Sequence, residues 1–493
     1  MLKISPLPNS LIRTRFAPSP TGELHIGGVR TALFNYLFAK QNDGQFILRI
    51  EDTDLERNRE IFVNNLYEDL LWLGLKPDES IFQTGQHGPY RQTQRLDVYR
   101  KYIEKLLAEK KAYYCFCSPE ELAQEREKFS QENKRSNYQY SRKCLQLSEK
   151  ETQSFLHHKK SYVLRLKIPS AKNYSFTDLV RGEVNFRSQD IEDFVLLRQN
   201  GIPNFNFACV VDDYLMKISH VLRGEEHLSN TGKQLVLYEA LGWKPPWFGH
   251  ISIILNQEKK KLSKRDPETS QWQLISQLRA KGYLPEAIVN YLLLLGWHPG
   301  TTQEIFTLRE AIKEFKLSGL HASGAVYDLE KLNWYNNCYI QQLGEKEFAE
   351  YAWQFLGEKN IDWLKSEKEK KEWVKEISWL FRPQLNYFAE LINLTTYFFQ
   401  RPAQKIKIEE NEVLWLKELR EQLNQLAKWE VENIKSVLKS VCLSNQAPQR
   451  DFYLLVRKVL TGTDKGPELP HVIYLLNKEE AEKRFKIINI TKK

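Results

Sequence analysis

The stretch from Arg13 to Arg30 constrains this chain more than any other. Arg13 to Ala17 has the pattern of a short strand, Pro18, Ser19, Pro20, Thr21 and Gly22 force a turn, and Val29 to Ala39 has the pattern of a helix. A strand, a tight turn and a helix in that order predict an open α/β sheet with its ligand at the strand's carboxyl end. Free N–H groups at such a helix start favour phosphate, and His25, Gly27 and Gly28 fall there. The glycines admit a nucleotide close to the backbone, and an imidazole N–H can donate to a phosphate oxygen. Alone, the His-x-Gly pattern is weak, because a helix-capping turn carries the same residues. It needs a partner elsewhere in the chain.

The candidate partner is Lys261-Leu262-Ser263-Lys264-Arg265, which by itself is equally a solvated lysine-rich loop after Lys259 and Lys260. Together, in this order, the two stretches resemble the paired signatures of the class I aminoacyl-tRNA synthetases. Their variants here, His25-Ile26-Gly27-Gly28 and Lys261 to Arg265, resemble those of the bacterial-type glutamyl-tRNA synthetases. The resemblance implies His25, Lys261 and Lys264 as catalytic groups. It also implies an ATP site of His25, Gly27, Gly28, Glu226, Leu262 and Lys264, with Mg²⁺ accompanying ATP.

A chain of 493 residues is too long for one ordinary core, so roughly three or more domains are expected. With 42% hydrophobic and 27% charged residues the composition is that of a soluble globular protein. The densest apolar run, Tyr291 to Trp297, is far short of a membrane span, and Met1 to Ile12 has no apolar core of a secretory signal. Six cysteines in so long a chain argue against a disulfide framework and make the cytoplasm the default location. A net charge of +9 gives mild support to a polyanionic partner such as RNA.

Gln45 to Ile50 is a second strand-like run, ending in Glu51-Asp52-Thr53-Asp54. Asp52 or Asp54 suits a turn or cap, whereas Glu51, at the strand's end, could receive a substrate ammonium. The block from Arg49 to Asp54 matches one shared by glutamyl and glutaminyl enzymes, in which the glutamate lines the amino-acid pocket. Val210 to Asp213 followed by His220 to Thr231 is a further block that resembles the family. Arg223 and Arg15 match its pocket arginines, and guanidinium groups bind carboxylates in bidentate fashion. The alternative for either arginine is an ion pair with Glu51 or Asp213. The resemblance completes the glutamate site with Ala17, Ser19 and position 205, where Phe205 keeps the ring of the family's usual tyrosine and loses its hydroxyl.

Between the two halves of the sheet the composition shifts at Tyr113 to Pro119. Cys115-x-Cys117, with Tyr140 and Cys144, puts three thiols and a phenol within reach of one site, which suits a four-ligand structural zinc. Many synthetases of the family bind zinc at a cysteine-x-cysteine pair and a downstream cysteine-x-histidine. Here Gln146 stands at the histidine position, so Tyr140 is the candidate fourth ligand, and a vestigial site or plain buried thiols compete with zinc.

Elsewhere the patterns predict helices over Val63 to Leu75, closed by Gly74, and over Leu96 to Leu107. They predict a strand over Tyr162 to Ile168, a hairpin from Ser175 to Phe186, and a doubly buried strand over Ala208 to Val211. Leu284 opens an all-helical stretch, and after Gln341 the pattern stays helical. The expected layout is multidomain. An α/β Rossmann-type catalytic domain (halves 1–93 and 209–230) carries an inserted α+β domain (94–208) for the tRNA acceptor end. All-α stem-contact (231–340, with the lysine loop) and helical anticodon-binding (341–493) domains follow.

The activity so implied is two-step, ATP-dependent ligation of L-glutamate to tRNA(Glu) through glutamyl-adenylate, with an enzyme that also charges tRNA(Gln) as the alternative. Expected partners are tRNA, L-glutamate and ATP, with no membrane and a monomeric chain. A shortened paralogue that glutamylates a modified tRNA base is disfavoured by the chain beyond Ile340. A catalytically dead tRNA-binding protein is disfavoured by His25, Lys261 and Lys264.

Overall fold

The protein's structure, a computed structural model, describes residues 11–132, 139–262, 270–359, 361, 363–364, 366–402 and 408–486. By contact density the chain forms two compact units, Met1–Leu278 with Ile288–Leu329, and Arg279–Ala287 with Glu330–Lys493.

In the first unit, β1 (Arg13–Phe16) and β2 (Gln45–Leu48) pair in parallel, joined by the helix Ile26–Gln41. That crossover is what a parallel pair requires. The helix buries Ile26, Val29, Leu33, Phe34 and Leu37, an apolar set with helical spacing. The helix Glu60–Trp72 ends at Gly74, whose φ of 77° is the left-handed conformation expected of a C′ glycine. The helix Leu96–Ala108 follows as expected.

The inserted region contains an antiparallel sheet of β3 (Ala112–Cys115), β4 (Val163–Leu166) and, after the hairpin β5 (Asn173–Asp178) and β6 (Gly182–Arg187), β7 (Val195–Leu197). The chain returns through β8 (His220–Gly224) and β9 (Trp247–Ile251), a second parallel pair joined by the helix Leu228–Leu241. β8 meets β1 through Ser219, whose backbone N–H donates to the Arg13 carbonyl at 3.0 Å and whose Oγ accepts from the Arg13 amide at 2.8 Å.

Two expectations are corrected. Ala208 to Val211 is not a strand but the middle of the helix Phe205–Leu215, capped by Asn204, with Phe207 to Asp213 all buried. A continuous apolar run of that length is the pattern of a doubly buried strand and of a fully buried helix alike. The stretch after Leu284 is not wholly helical either, because Ala325–Val326 (β11) pairs in parallel with β10 (Ile254–Leu255).

The second unit is helical, with no strand among its described residues. Its helices include Glu345–Leu356, Glu367–Phe381, Glu410–Gln425, Val431–Ser444, Gln449–Thr461 and Leu469–Lys486. Trp373, Ile377 and Phe381 bury one face of Glu367–Phe381, while the exposed run before them carries the Glu367–Lys371 pair. The Trp373 indole N–H donates to the Leu475 carbonyl at 2.8 Å, tying this helix to Leu469–Lys486. Among the described residues no helix is long and apolar enough to cross a membrane.

Candidate active site

A cleft of about 510 Å³ opens at the carboxyl ends of β1 and β8. It is the place where ligands bind in open parallel sheets. Its walls include Arg15, Ala17, Ser19, His25, Gly27, Gly28, Glu51, Phe205, Arg223, Glu226, Lys261 and Leu262. Residues separated by up to the whole catalytic region in sequence thus share one cavity. Lys264, with Ser263 and Arg265, lies outside the described residues.

His25 is the N-cap of the helix Ile26–Gln41, and its Nδ1 accepts from the amides of Gly27 at 3.1 Å and Gly28 at 3.2 Å. The Ile26 amide donates to the Gln273 carbonyl and the Val29 amide to the His25 carbonyl. The expectation of free amides at this helix start is therefore corrected, since the imidazole and Gln273 satisfy the first turn. With Nδ1 an acceptor, a neutral His25 carries its proton on Nε2, and this nitrogen becomes the group able to donate.

The two arginines differ. Arg15 donates from Nε to Asp213 at 3.3 Å and from Nη1 to the Leu222 carbonyl at 3.3 Å, so the ion-pair alternative holds for it even as it lines the cleft. Arg223 is 5% exposed and has no carboxylate partner among the described residues. Its Nη2 donates to Thr231 Oγ1 at 2.8 Å and Gln234 Oε1 at 2.9 Å, its Nε to His250 Nε2 at 3.3 Å, and its Nη1 makes no hydrogen bond. Burial pulls this guanidinium down to about 10.

Glu51, buried at the cleft, is held by Arg49 at 3.0 Å, and burial pushes its carboxyl up against that pairing. Phe205 stacks on His227 with ring centres 5.6 Å apart and planes inclined by 29°. Burial, with Arg223 nearby, lowers His227 to about 4, so that ring is neutral.

Several lining groups were not singled out from sequence: Arg30, Cys209, His227 and Gln273. Arg49 was missed too. It stands two positions before Glu51, the strand period that puts both on one face, and this was the available signal.

The sulfur atoms of Cys115, Cys117 and Cys144 lie within 4.8 Å of one another. The Tyr140 hydroxyl is 3.3 Å from both Cys115 and Cys117, and Cys117 is 3.5 Å from Cys144. A tetrahedral zinc with ordinary Zn–S bonds separates its sulfurs by about 3.8 Å, so this donor set fits one. Gln146 is exposed and outside the set.

Residues 11–334 match the family of class I tRNA synthetases (E and Q), catalytic domain, and residues 347–488 match an anticodon binding domain. The glutamate–tRNA ligase of Geobacillus thermodenitrificans is 44% identical over 483 residues, spanning 96% of this chain and 98% of that protein. That of Bacillus subtilis is 41% identical over 97% of this chain and 99% of its own. A crystal structure of a glutamate tRNA ligase from Elizabethkingia meningosepticum in complex with its amino acid superposes with a TM-score of 0.87 at 35% identity, covering 97% of this chain and 99% of that one. With a nucleotide-type cleft on a parallel sheet, a separate helical anticodon-binding region and matches along nearly its full length, the chain belongs to the class I tRNA synthetases of the glutamate and glutamine group.

Proposed function

We propose that this chain is a glutamate–tRNA ligase that joins L-glutamate to tRNA(Glu) at the expense of ATP. The observation that carries the reading is Arg223, a buried cleft-lining guanidinium whose side-chain hydrogen-bond partners are neutral acceptors and whose Nη1 makes no hydrogen bond. A buried charge of this kind is stabilised by an anion. The side-chain carboxylate of glutamate supplies one, and the names of the relatives, which give glutamate, support the choice.

In the first step the substrate's α-carboxylate oxygen bonds to the α-phosphorus of ATP and the bond to pyrophosphate breaks. In the second, a ribose hydroxyl at the tRNA 3′ end attacks the acyl carbon, loses its proton, and AMP leaves. No protein nucleophile is required, so the residues act by placement and charge. Arg15 and Arg223 orient the substrate carboxylate, Glu51 receives the ammonium, and Ala17, Ser19 and Phe205 shape the pocket. His25 donates from Nε2 to phosphate, and Gly27, Gly28, Glu226 and Leu262 border the nucleotide. Lys261 and Lys264 neutralise charge developing on the transferring phosphate. Mg²⁺ arriving with ATP supplies further neutralisation of the phosphates.

We assign Cys115, Cys117, Tyr140 and Cys144 to a structural zinc that stabilises the inserted subdomain, whose own apolar cluster there is small. The reading makes the chain a monomeric enzyme of the cytoplasm, where tRNA is charged. Purified tRNA(Glu) and tRNA(Gln) incubated with ATP and labelled glutamate test the function. Charging of tRNA(Glu) in preference to tRNA(Gln) is the expected result, and failure to charge tRNA(Glu) would overturn it.

A further inference from the structure

Arg223 of β8 and His250 of β9 face each other across a parallel pair, in register. Both are buried, Arg223 at 5% and His250 at 0% exposure. The His250 Nε2 takes the Arg223 Nε–H at 3.3 Å and lies 3.0 Å from Thr231 Oγ1. Its Nδ1 lies 2.5 Å from Asp178 Oδ2, at the end of β5 in the inserted region.

Asp178 is itself fixed. Its Oδ1 accepts from the amides of Val180 at 2.9 Å, Arg181 at 3.0 Å and His250 at 3.2 Å. Burial opposes its charge, but the His250 hydrogen bond and these amides hold it below the usual aspartate range. An ionised Asp178 can only accept, so Nδ1 carries the imidazole proton and Nε2 is left as an acceptor. The opposite tautomer would point an N–H at a guanidinium, donor against donor.

We propose that His250 is a positioning residue for Arg223: locked by Asp178 as the Nδ1–H tautomer, it offers Nε2 as the acceptor that fixes the plane of the guanidinium. The inference rests on Arg223 holding the substrate carboxylate. Thr231 and Gln234 hold one Nη and His250 holds Nε, which leaves Nη1 as the guanidinium nitrogen with no hydrogen-bond partner in a residue that lines the cleft. The logic is that of an orienting carboxylate behind a histidine, with an arginine in place of the reacting group. It also ties the glutamate pocket to the β5–β6 hairpin, because Asp178 caps that hairpin's turn.

The test uses the full chain charging tRNA(Glu), with KM measured separately for glutamate and ATP. His250→Leu removes the acceptor and is expected to raise the glutamate KM about tenfold, the loss of one hydrogen bond to a charged group, with the ATP KM unchanged. His250→Gln can place an amide oxygen where Nε2 stood and should recover most of the loss, which a packing role would not allow. A parental glutamate KM in His250→Leu, or equal rises for glutamate and ATP, would overturn the proposal. Arg223→Ala separates the two layers. If it raises the glutamate KM while His250→Leu does not, the positioning role alone fails; if it leaves that KM unchanged, the carboxylate reading beneath it fails. Nitrogen-15 NMR of histidine-labelled parent enzyme gives an independent readout: a His250 protonated on Nδ1 at neutral pH is expected, and an Nε2–H tautomer or an imidazolium contradicts the proposal.

Discussion

Arg49 and Asp213 form a 2.7 Å ion pair in which neither side chain is more than 3% exposed. The same guanidinium holds Glu51 at 3.0 Å, and Asp213 in turn reaches Arg15 at 3.3 Å. One buried cation therefore orders two of the groups assigned to the substrate. Burial favours the neutral form of Asp213, but Arg49 and Arg15 hold its carboxyl below the usual range. Removing one partner of such a set leaves buried charge uncompensated, which costs roughly 3–5 kcal/mol. Arg49→Met should lower the denaturant midpoint accordingly, and a change within about 0.5 kcal/mol, typical of surface sites, would show that the network is not integral.

His220 supplies a pH dependence. Burial of its imidazole, which sits edge-on to Phe38 with centres 4.8 Å apart, lowers its pKa to about 4. The unfolded chain has this group near 6.5, so between about pH 4 and 6.5 the unfolded state binds more protons. Stability is fully present above that window and is lost as pH falls through it. Thermal midpoints measured from pH 7 to 4.5 should decline, and His220→Gln should decline less steeply than the parent. Parallel curves would show that His220 does not contribute to the acid sensitivity.

The cleft was legible in the sequence because most of its walls are contiguous motifs, several of them at the end of a strand. Arg15 to Gly28, Glu51, Arg223 and Lys261 could be nominated without knowing how they meet. What was not legible depended on partners far apart. Asp178 and His250 are separated by 72 positions and carry no motif spacing. His25 was expected to face phosphate with free amides beside it, whereas its own Nδ1 takes the Gly27 and Gly28 amides. Ala208 to Val211 became a helix because complete burial erases the periodicity that separates helix from strand.

Metal analysis addresses the thiol cluster. One zinc per chain is expected, with Cys115→Ser abolishing it. Tyr140→Phe deletes an oxygen 3.3 Å from two of the sulfurs and should weaken zinc retention against a chelator by at least about tenfold. Gln146→Ala, an exposed position, should leave retention unchanged. Metal-free protein prepared in zinc-supplemented medium would instead make these thiols a plain packing cluster.

The role of Arg223 is tested by the choice between glutamate and glutamine by the full chain with ATP and tRNA(Glu). Glutamine differs by an uncharged amide in place of the carboxylate, and it would leave the buried Arg223 guanidinium without a directly paired carboxylate. The kcat/KM for glutamate should exceed that for glutamine by at least about 100-fold, equivalent to about 2.8 kcal/mol. Comparable kcat/KM values for the two amino acids would contradict the assignment of Arg223 to a substrate carboxylate.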